Sequence, residues 1–295
     1  VLPLPAGHFF PMEKYRRLRE RIEAAPWDAL RMRLPEPASI EDLLEVHCPA
    51  YVERVFGGTL TEAEQRKIGF PWSAAMAERS RRVSGATIGA ALSALDHGIA
   101  INLAGGTHHA KYASGAGYCI FNDTVVAARH VQRKRAVGRV LVIDLDVHQG
   151  DGTALLTAND PSIHTFSMHA AKAFPALKPA SDWDIALPDG TGDDDYLNAL
   201  NDALPRLLAA KRADLVIYLA GADPFSGDQL GRLALSKAGL SARDRLVFER
   251  CRAAGLPVAT TMAGGYAKQI DDIVDIHFAT VVAANQALHS SAPRL

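Results

Sequence analysis

The chain has 295 residues, of which 48% are hydrophobic and 22% charged, with a formal net charge of −1 at pH 7. This composition supplies a sizeable core and excludes a disordered or fibrous chain, and the balanced charge excludes a global basic field for nucleic acid or an anionic membrane. Three scattered cysteines (Cys48, Cys119 and Cys251) without a CxxC pair, and no apolar run of signal-peptide or membrane-span length, lead to the expectation of a cytoplasmic protein.

In chain order, the helical recurrence of apolar positions predicts helices over 12–24 and 39–47, then the clearest one over 73–96. Further helices are expected over 122–135, 194–211, 241–254 and 267–288. Asn122–Asp123 and Ser241 are placed to cap two of these. Between the helices lie apolar runs of strand length, at Ile99–Leu103, Val140–Ile143, Ile163–Phe166, Leu215–Leu219 and Pro257–Thr261. Such alternation predicts an α/β fold whose mostly parallel central sheet carries helices on both faces. No repeat or linker divides the chain, so one domain is expected over 1–295.

Four of the runs end in ionisable or glycine-rich sequence. AGGTHH follows Leu103, DLDVHQGDG follows Ile143, AGADPFSGD follows Leu219 and MAGGY follows Thr261. Ligands of open α/β sheets sit beyond the carboxyl ends of the strands, so all four clusters are placed to meet in one crevice.

The stretch Asp144-Leu145-Asp146-Val147-His148 alternates polar and apolar residues. If the strand continues through it, Asp144, Asp146 and His148 share one side. Two carboxylates and an imidazole are costly to bury without compensation, and a divalent metal such as zinc compensates them. Asp223, beyond the next strand but one, completes the three protein ligands usual for a catalytic zinc with one open position. Position 225 is Phe, so a second metal lacks ligands and one ion per chain is expected. Two carboxylates cancel the charge of that ion, which then acidifies bound water less than a three-histidine site does. A general base and a second electrophile are therefore required. His108 and His109 are the base candidates, with Asp144 and Asp151 as the carboxylates left to orient them. Tyr266, on the glycine-rich AGGY loop, is the candidate donor to an oxyanion.

Together the stretches GGTHHA, GYCIFND, VLVIDLDVHQGDGT, LAGADPFSGD and AGGY resemble the histone deacetylase and acetylpolyamine amidohydrolase superfamily, whose fold is shared with arginase. They run from Gly105 to Tyr266 in the family's order. FPMEKYRRLRERI, WDIALPDGTGDDDYL and DQLGRLALSKAGL with RDRLVFE look most like class IV deacetylases and their bacterial relatives. The resemblance implies Asp146, His148 and Asp223 as zinc ligands, Asp144 and Asp151 as the respective partners of His108 and His109, and Tyr266 as the transition-state donor. It implies that Gly117 and Tyr118 line an acyl-lysine channel with Phe174 on the opposite wall. It also implies a structural potassium ion at Asp144, the carbonyls of Asp146 and His148, and Ser167. Position 118 is Tyr where many relatives carry Phe, and 263 is Ala where many carry Gly.

The expected activity is hydrolysis of an acyl-lysine in a protein or peptide. An acylated polyamine or other small amine is the rival substrate, and a non-catalytic acyl-lysine reader the rival role. Class IV resemblance extends the expectation to acyl groups longer than acetyl, as do four alanines in His169–Pro179 that would leave apolar volume in the channel. The remaining histidines, His47, His97, His130, His164, His277 and His289, read as structural or solvated, and His8 has no derivable role. Asp193–Asp195 reads as a helix start.

Overall fold

In a computed structural model of the chain, residues 2–27, 30–211 and 213–289 are described, so the two ends of the expected 1–295 domain lie outside. Four helices, α1 (Glu13–Ala24), α2 (Ile40–Leu44), α3 (Pro49–Gly57) and α4 (Glu62–Ile68), precede the long α5 (Ala74–His97). Strands and helices then alternate: β1 (Ile99–Asn102), α6 (Asp123–Lys134), β2 (Val140–Asp144), α7 (Asp151–Leu156), β3 (Ile163–Ala170), β4 (Trp183–Leu187), α8 (Asp193–Lys211), β5 (Leu215–Leu219), α9 (Lys237–Ala253), β6 (Val258–Thr261) and α10 (Ile270–His289).

The six strands among the described residues form one sheet in the order β1-β6-β5-β2-β3-β4, with every pairing parallel. Strands β2 and β5 are buried throughout, which is why they read as unbroken apolar runs. Val140 and Val142 pack on one face with Ile88 of α5 and Val125 of α6. Leu141 and Ile143 pack on the other with Leu204 of α8, Phe248 of α9 and Ile276 of α10. The chain leaves β2 toward β3 and β4, then returns to lay β5 on the other side of β2. The strand order therefore reverses between β2 and β5, and the crevice at such a switch point is where open α/β sheets bind ligands. None of the helices among the described residues is long and apolar enough to cross a membrane.

Four elements escape the periodicity reading. Helices α3, α4 and α7 have nine, seven and six residues, too short to establish a helical stripe. Strand β4 is an edge strand paired only with β3 and is mostly half-buried, so it shows no apolar run. Asn122 does cap α6, accepting a hydrogen bond from Val125 N–H. The Ser241 cap is wrong: the cap of α9 lies five residues earlier, where Ser236 accepts from Gly239 N–H at 2.9 Å. Ser236 Oγ also donates to Asp193 at the start of α8 (2.5 Å), which ties the two helix starts together. A serine inside the same helix had matched the cap pattern equally well.

Candidate active site

The regular ladder of β2 stops at Asp144, so strand alternation is not what aims Asp146 and His148. Leu145 N–H makes one more inter-strand bond, to Leu219 O (3.1 Å), and the chain then winds on its own carboxylates. Asp144 Oδ1 accepts from Asp146 N–H (3.1 Å), and Asp146 Oδ1 accepts from His148 N–H (2.9 Å). Acidic side chains capturing the backbone two residues on are a turn device. The alternation survives it, because Leu145 and Val147 are fully buried in the α8–α10 core while Asp146 and His148 face the crevice.

Ligand atoms of Asp146, His148 and Asp223 all lie within 4.8 Å of one another. His148 Nδ1 is 3.0 Å from Asp146 Oδ1 and 3.3 Å from Asp223 Oδ2. The outer oxygens are held from behind, Asp223 Oδ1 by Val147 N–H (3.0 Å) and Asp146 Oδ2 by Gly264 N–H (2.8 Å). Asp223 Oδ2 is buried and receives no hydrogen bond. A Cβ at position 264 would stand 1.8 Å from that atom and 2.6 Å from Asp146 Oδ2, so only glycine leaves the carboxylate pair open. Burial pushes the Asp223 carboxyl up to about 7, aided by the Asp146 carboxylate beside it. Burial opposes the His148 cation, but the Asp146 carboxylate that its Nδ1 bonds and the Asp223 carboxylate beside it outweigh burial and hold its pKa up at about 10. Two carboxylates and an imidazole converging on one buried point, with one oxygen unpartnered, fit a divalent cation.

The tandem histidines stand on a loop held by the start of α6. Asp123 accepts from Gly106 N–H (3.0 Å) and Thr107 N–H (2.7 Å). His47 braces the same region, donating from Nδ1 to Lys111 O (3.0 Å) and accepting at Nε2 from Asn122 N–H (2.9 Å); burial lowers its pKa to about 4. His108 Nδ1–H donates to Asp144 Oδ2 and His109 Nδ1–H to Asp151 Oδ1, both at 2.7 Å, which leaves the two Nε2 atoms 3.2 Å apart. Lys111 Nζ lies 2.8 Å from the other Asp151 oxygen. Burial disfavours both imidazolium ions. In His108 it is outweighed by Asp144 and Asp146, which hold the pKa up at about 9, whereas burial and the His108 charge push His109 down to about 3.

Tyr266 lines the same pocket as His108, His109, Asp146 and His148. Its backbone N–H donates to Asp228 (2.6 Å), and burial followed by the Asp146 and Asp223 carboxylates pushes the phenol well above its ordinary pKa. Gly117 and Tyr118 also line the pocket. Gly117 has φ +54°, and a Cβ there would stand 2.7 Å from the His109 ring. Tyr118 and Ala263 adopt positive φ (65° and 51°) despite their side chains, a conformation costing roughly 1–2 kcal/mol per residue and typical of functional loops. Phe174 is outside this lining. It is half-exposed and meets His109 edge to face at 4.8 Å.

Sequence reasoning missed the wall built by the N-terminal segment and α5, where Phe10, Tyr15 and Arg79 line the pocket. It also missed Lys14, buried beneath Tyr266, with Nζ donating to Gly265 O (3.1 Å) and 5.3 Å from the Tyr266 ring centre. A signal was available: Lys14 shares the buried stripe of α1 with Leu18 and Ile22, where a lysine is out of place. The alanines of His169–Pro179 do not open the channel. Ala170 and Ala173 pack in the core, Ala171 and Ala176 face solvent, and none lines the pocket.

The histone deacetylase domain model matches residues 8–281. The chain is 47% identical over 281 residues to an uncharacterised protein of Picosynechococcus, covering 94% of this chain and 93% of that one. It is 32% identical to histone deacetylase 2 of Arabidopsis thaliana, over 79% of this chain and 63% of that protein. A histone deacetylase-like amidohydrolase of Pseudomonas aeruginosa is 29% identical over 90% and 74%. The fold is that of a crystallised deacetylase homologue from Aquifex aeolicus, with TM-score 0.79 and 22% identity over 95% of this chain and 80% of that one. The chain belongs to the histone deacetylase family, whose reaction class is the hydrolysis of acyl amides.

Proposed function

We propose that this protein is a zinc-dependent deacylase of acyl-lysine in proteins or peptides. The observation that carries the reading is a three-ligand cation site, two of whose ligands line one pocket together with two carboxylate-oriented histidines and a buried phenol. Asp146, His148 and Asp223 would hold the zinc ion, which when bound supplies a Lewis acid for the substrate carbonyl and for water. Neutral His109, its Nδ1–H fixed on Asp151, presents Nε2 to take a proton from the attacking water. His108, its ring oriented by Asp144 at Nδ1, would in its protonated form supply positive charge beside the developing oxyanion. Tyr266 donates its phenolic hydrogen to that oxyanion. His109 then passes its proton to the leaving amine nitrogen as the C–N bond breaks. The expected potassium site draws support from one placement: Asp144 and Ser167 are register partners on β2 and β3.

The aromatic lining suits the alkyl stem of lysine. The pocket offers a second ammonium no free carboxylate, since its single acid is the ligand Asp146, and this favours acyl-lysine over an acylated polyamine. Acetyl is the favoured acyl group. The pocket reaches Arg79, whose guanidinium stacks on Tyr15 at 5.0 Å and has no carboxylate partner among the described residues. Burying a long alkyl chain against that cation forfeits part of the ~0.8 kcal/mol gained per methylene. One peptide carrying acetyl-, octanoyl- or myristoyl-lysine, compared with an acetylated polyamine, tests both choices. We expect kcat/KM to be highest for acetyl-lysine and lowest for the polyamine. Preference for myristoyl would show that the pocket accommodates a long chain, and preference for the polyamine would reassign the substrate.

A further inference from the structure

One fully buried cation has no part in the chemistry above. Arg243 lies on the α9 stripe that otherwise packs Leu240, Val247 and Phe248 into the core, and a guanidinium there carries a large desolvation cost. Its Nε donates to Asp244 Oδ1 at 2.9 Å. Asp244 is anchored in turn by Tyr218 Oη (2.5 Å) and Thr280 Oγ1 (2.6 Å). Nη1 reaches the opposite way, donating to Gly221 O (2.7 Å) and Leu145 O (3.3 Å). Leu145 immediately precedes Asp146, and Gly221 lies two residues before Asp223. Beyond the last ladder bond, from Leu145 N–H to Leu219 O, the ends of β2 and β5 are joined by Val147 N–H on Asp223 Oδ1, a bond that engages a ligand carboxylate itself. The Arg243 bridge joins the same two ends without using a ligand.

We infer that Arg243 is a positioning residue of the metal site: anchored on Asp244, its guanidinium fastens the ends of β2 and β5 and sets the spacing of Asp146 and Asp223. The inference rests on the zinc reading above. Residues that orient metal ligands from behind typically change metal affinity by about 10–100-fold when replaced. Lysine keeps the charge but offers a single ammonium in place of the fork, so it cannot hold Asp244 and both carbonyls together. Asp244→Asn keeps an acceptor for Arg243 and breaks the ion pair, so it reports the effect of a weakened core alone.

The test is zinc affinity measured by competition with a chromophoric chelator, alongside thermal melting of the metal-free proteins, for wild type, Arg243→Lys and Asp244→Asn. We expect Arg243→Lys to bind zinc about 10–100-fold more weakly, and Asp244→Asn to melt lower while keeping near-wild-type zinc affinity. Unchanged zinc affinity in Arg243→Lys overturns the inference. So does equal weakening in Asp244→Asn, or an Arg243→Lys chain that does not fold, since each makes Arg243 a general core residue. A wild-type chain that fails to bind zinc overturns the zinc reading itself, and the inference with it.

Discussion

Asp223→Ala is expected to lose metal and turnover together while remaining folded. The side chain is fully buried, and one of its oxygens receives no hydrogen bond, so in the metal-free chain it is a burden rather than a support. Its removal leaves Val147 N–H without an acceptor, a cost of about 1–3 kcal/mol, and relieves the burial of a carboxyl whose pKa is pushed up to about 7 by that burial and then by the Asp146 carboxylate. These effects oppose each other, so the metal-free variant should melt close to the metal-free wild type. Zinc should separate them. A ligand bound only by the folded state raises apparent stability, so zinc should raise the melting temperature of wild type and leave the variant unmoved. Full zinc content in purified Asp223→Ala would remove Asp223 from the ligand set.

Tyr266→Phe and His109→Ala should show the opposite division, keeping zinc and losing turnover. Neither side chain is a proposed ligand, and both line the pocket beside the cation site. The phenol is buried and held well above its ordinary pKa, so it remains a neutral donor throughout the accessible pH range. Loss of one oxyanion donor typically costs on the order of 10²–10³ in rate. The fall should lie mainly in kcat, because the donor meets more charge in the transition state than in the bound amide. On the proposed ligand set, Asp146 and Asp223 would cancel the formal charge of zinc, and such an ion would polarise the carbonyl too weakly to replace the donor. Near-normal kcat in Tyr266→Phe would show that the cation alone suffices.

The crevice was legible because β2 and β5, buried on both faces, announce themselves as apolar runs, and because polar clusters at their carboxyl ends have one place to meet. The same logic misjudged the path after Asp144, where carboxylate-to-backbone bonds replace the ladder while preserving its alternation. The wall formed by Phe10, Tyr15 and Arg79 was out of reach, because nothing local in FPMEKY or in α5 says that the chain folds back over the carboxyl end of the sheet. Arg243 and Asp244 were hidden for a different reason. An adjacent charged pair on a helix ordinarily reads as a solvated face, and only the packing of α8, α9 and α10 shows it to be interior. The alanine loop failed because small side chains carry no direction, and half of them turned toward the core.

Hydrolysis of an acetyl-lysine peptide by the purified chain, followed before zinc removal by a chelator, after it, and after zinc is restored, tests the assignment most directly. Turnover should vanish with the metal, return with zinc and be blocked by a hydroxamate. A zinc-loaded chain that binds the peptide without cleaving it, or turnover indifferent to the chelator, would contradict a zinc-dependent deacylase.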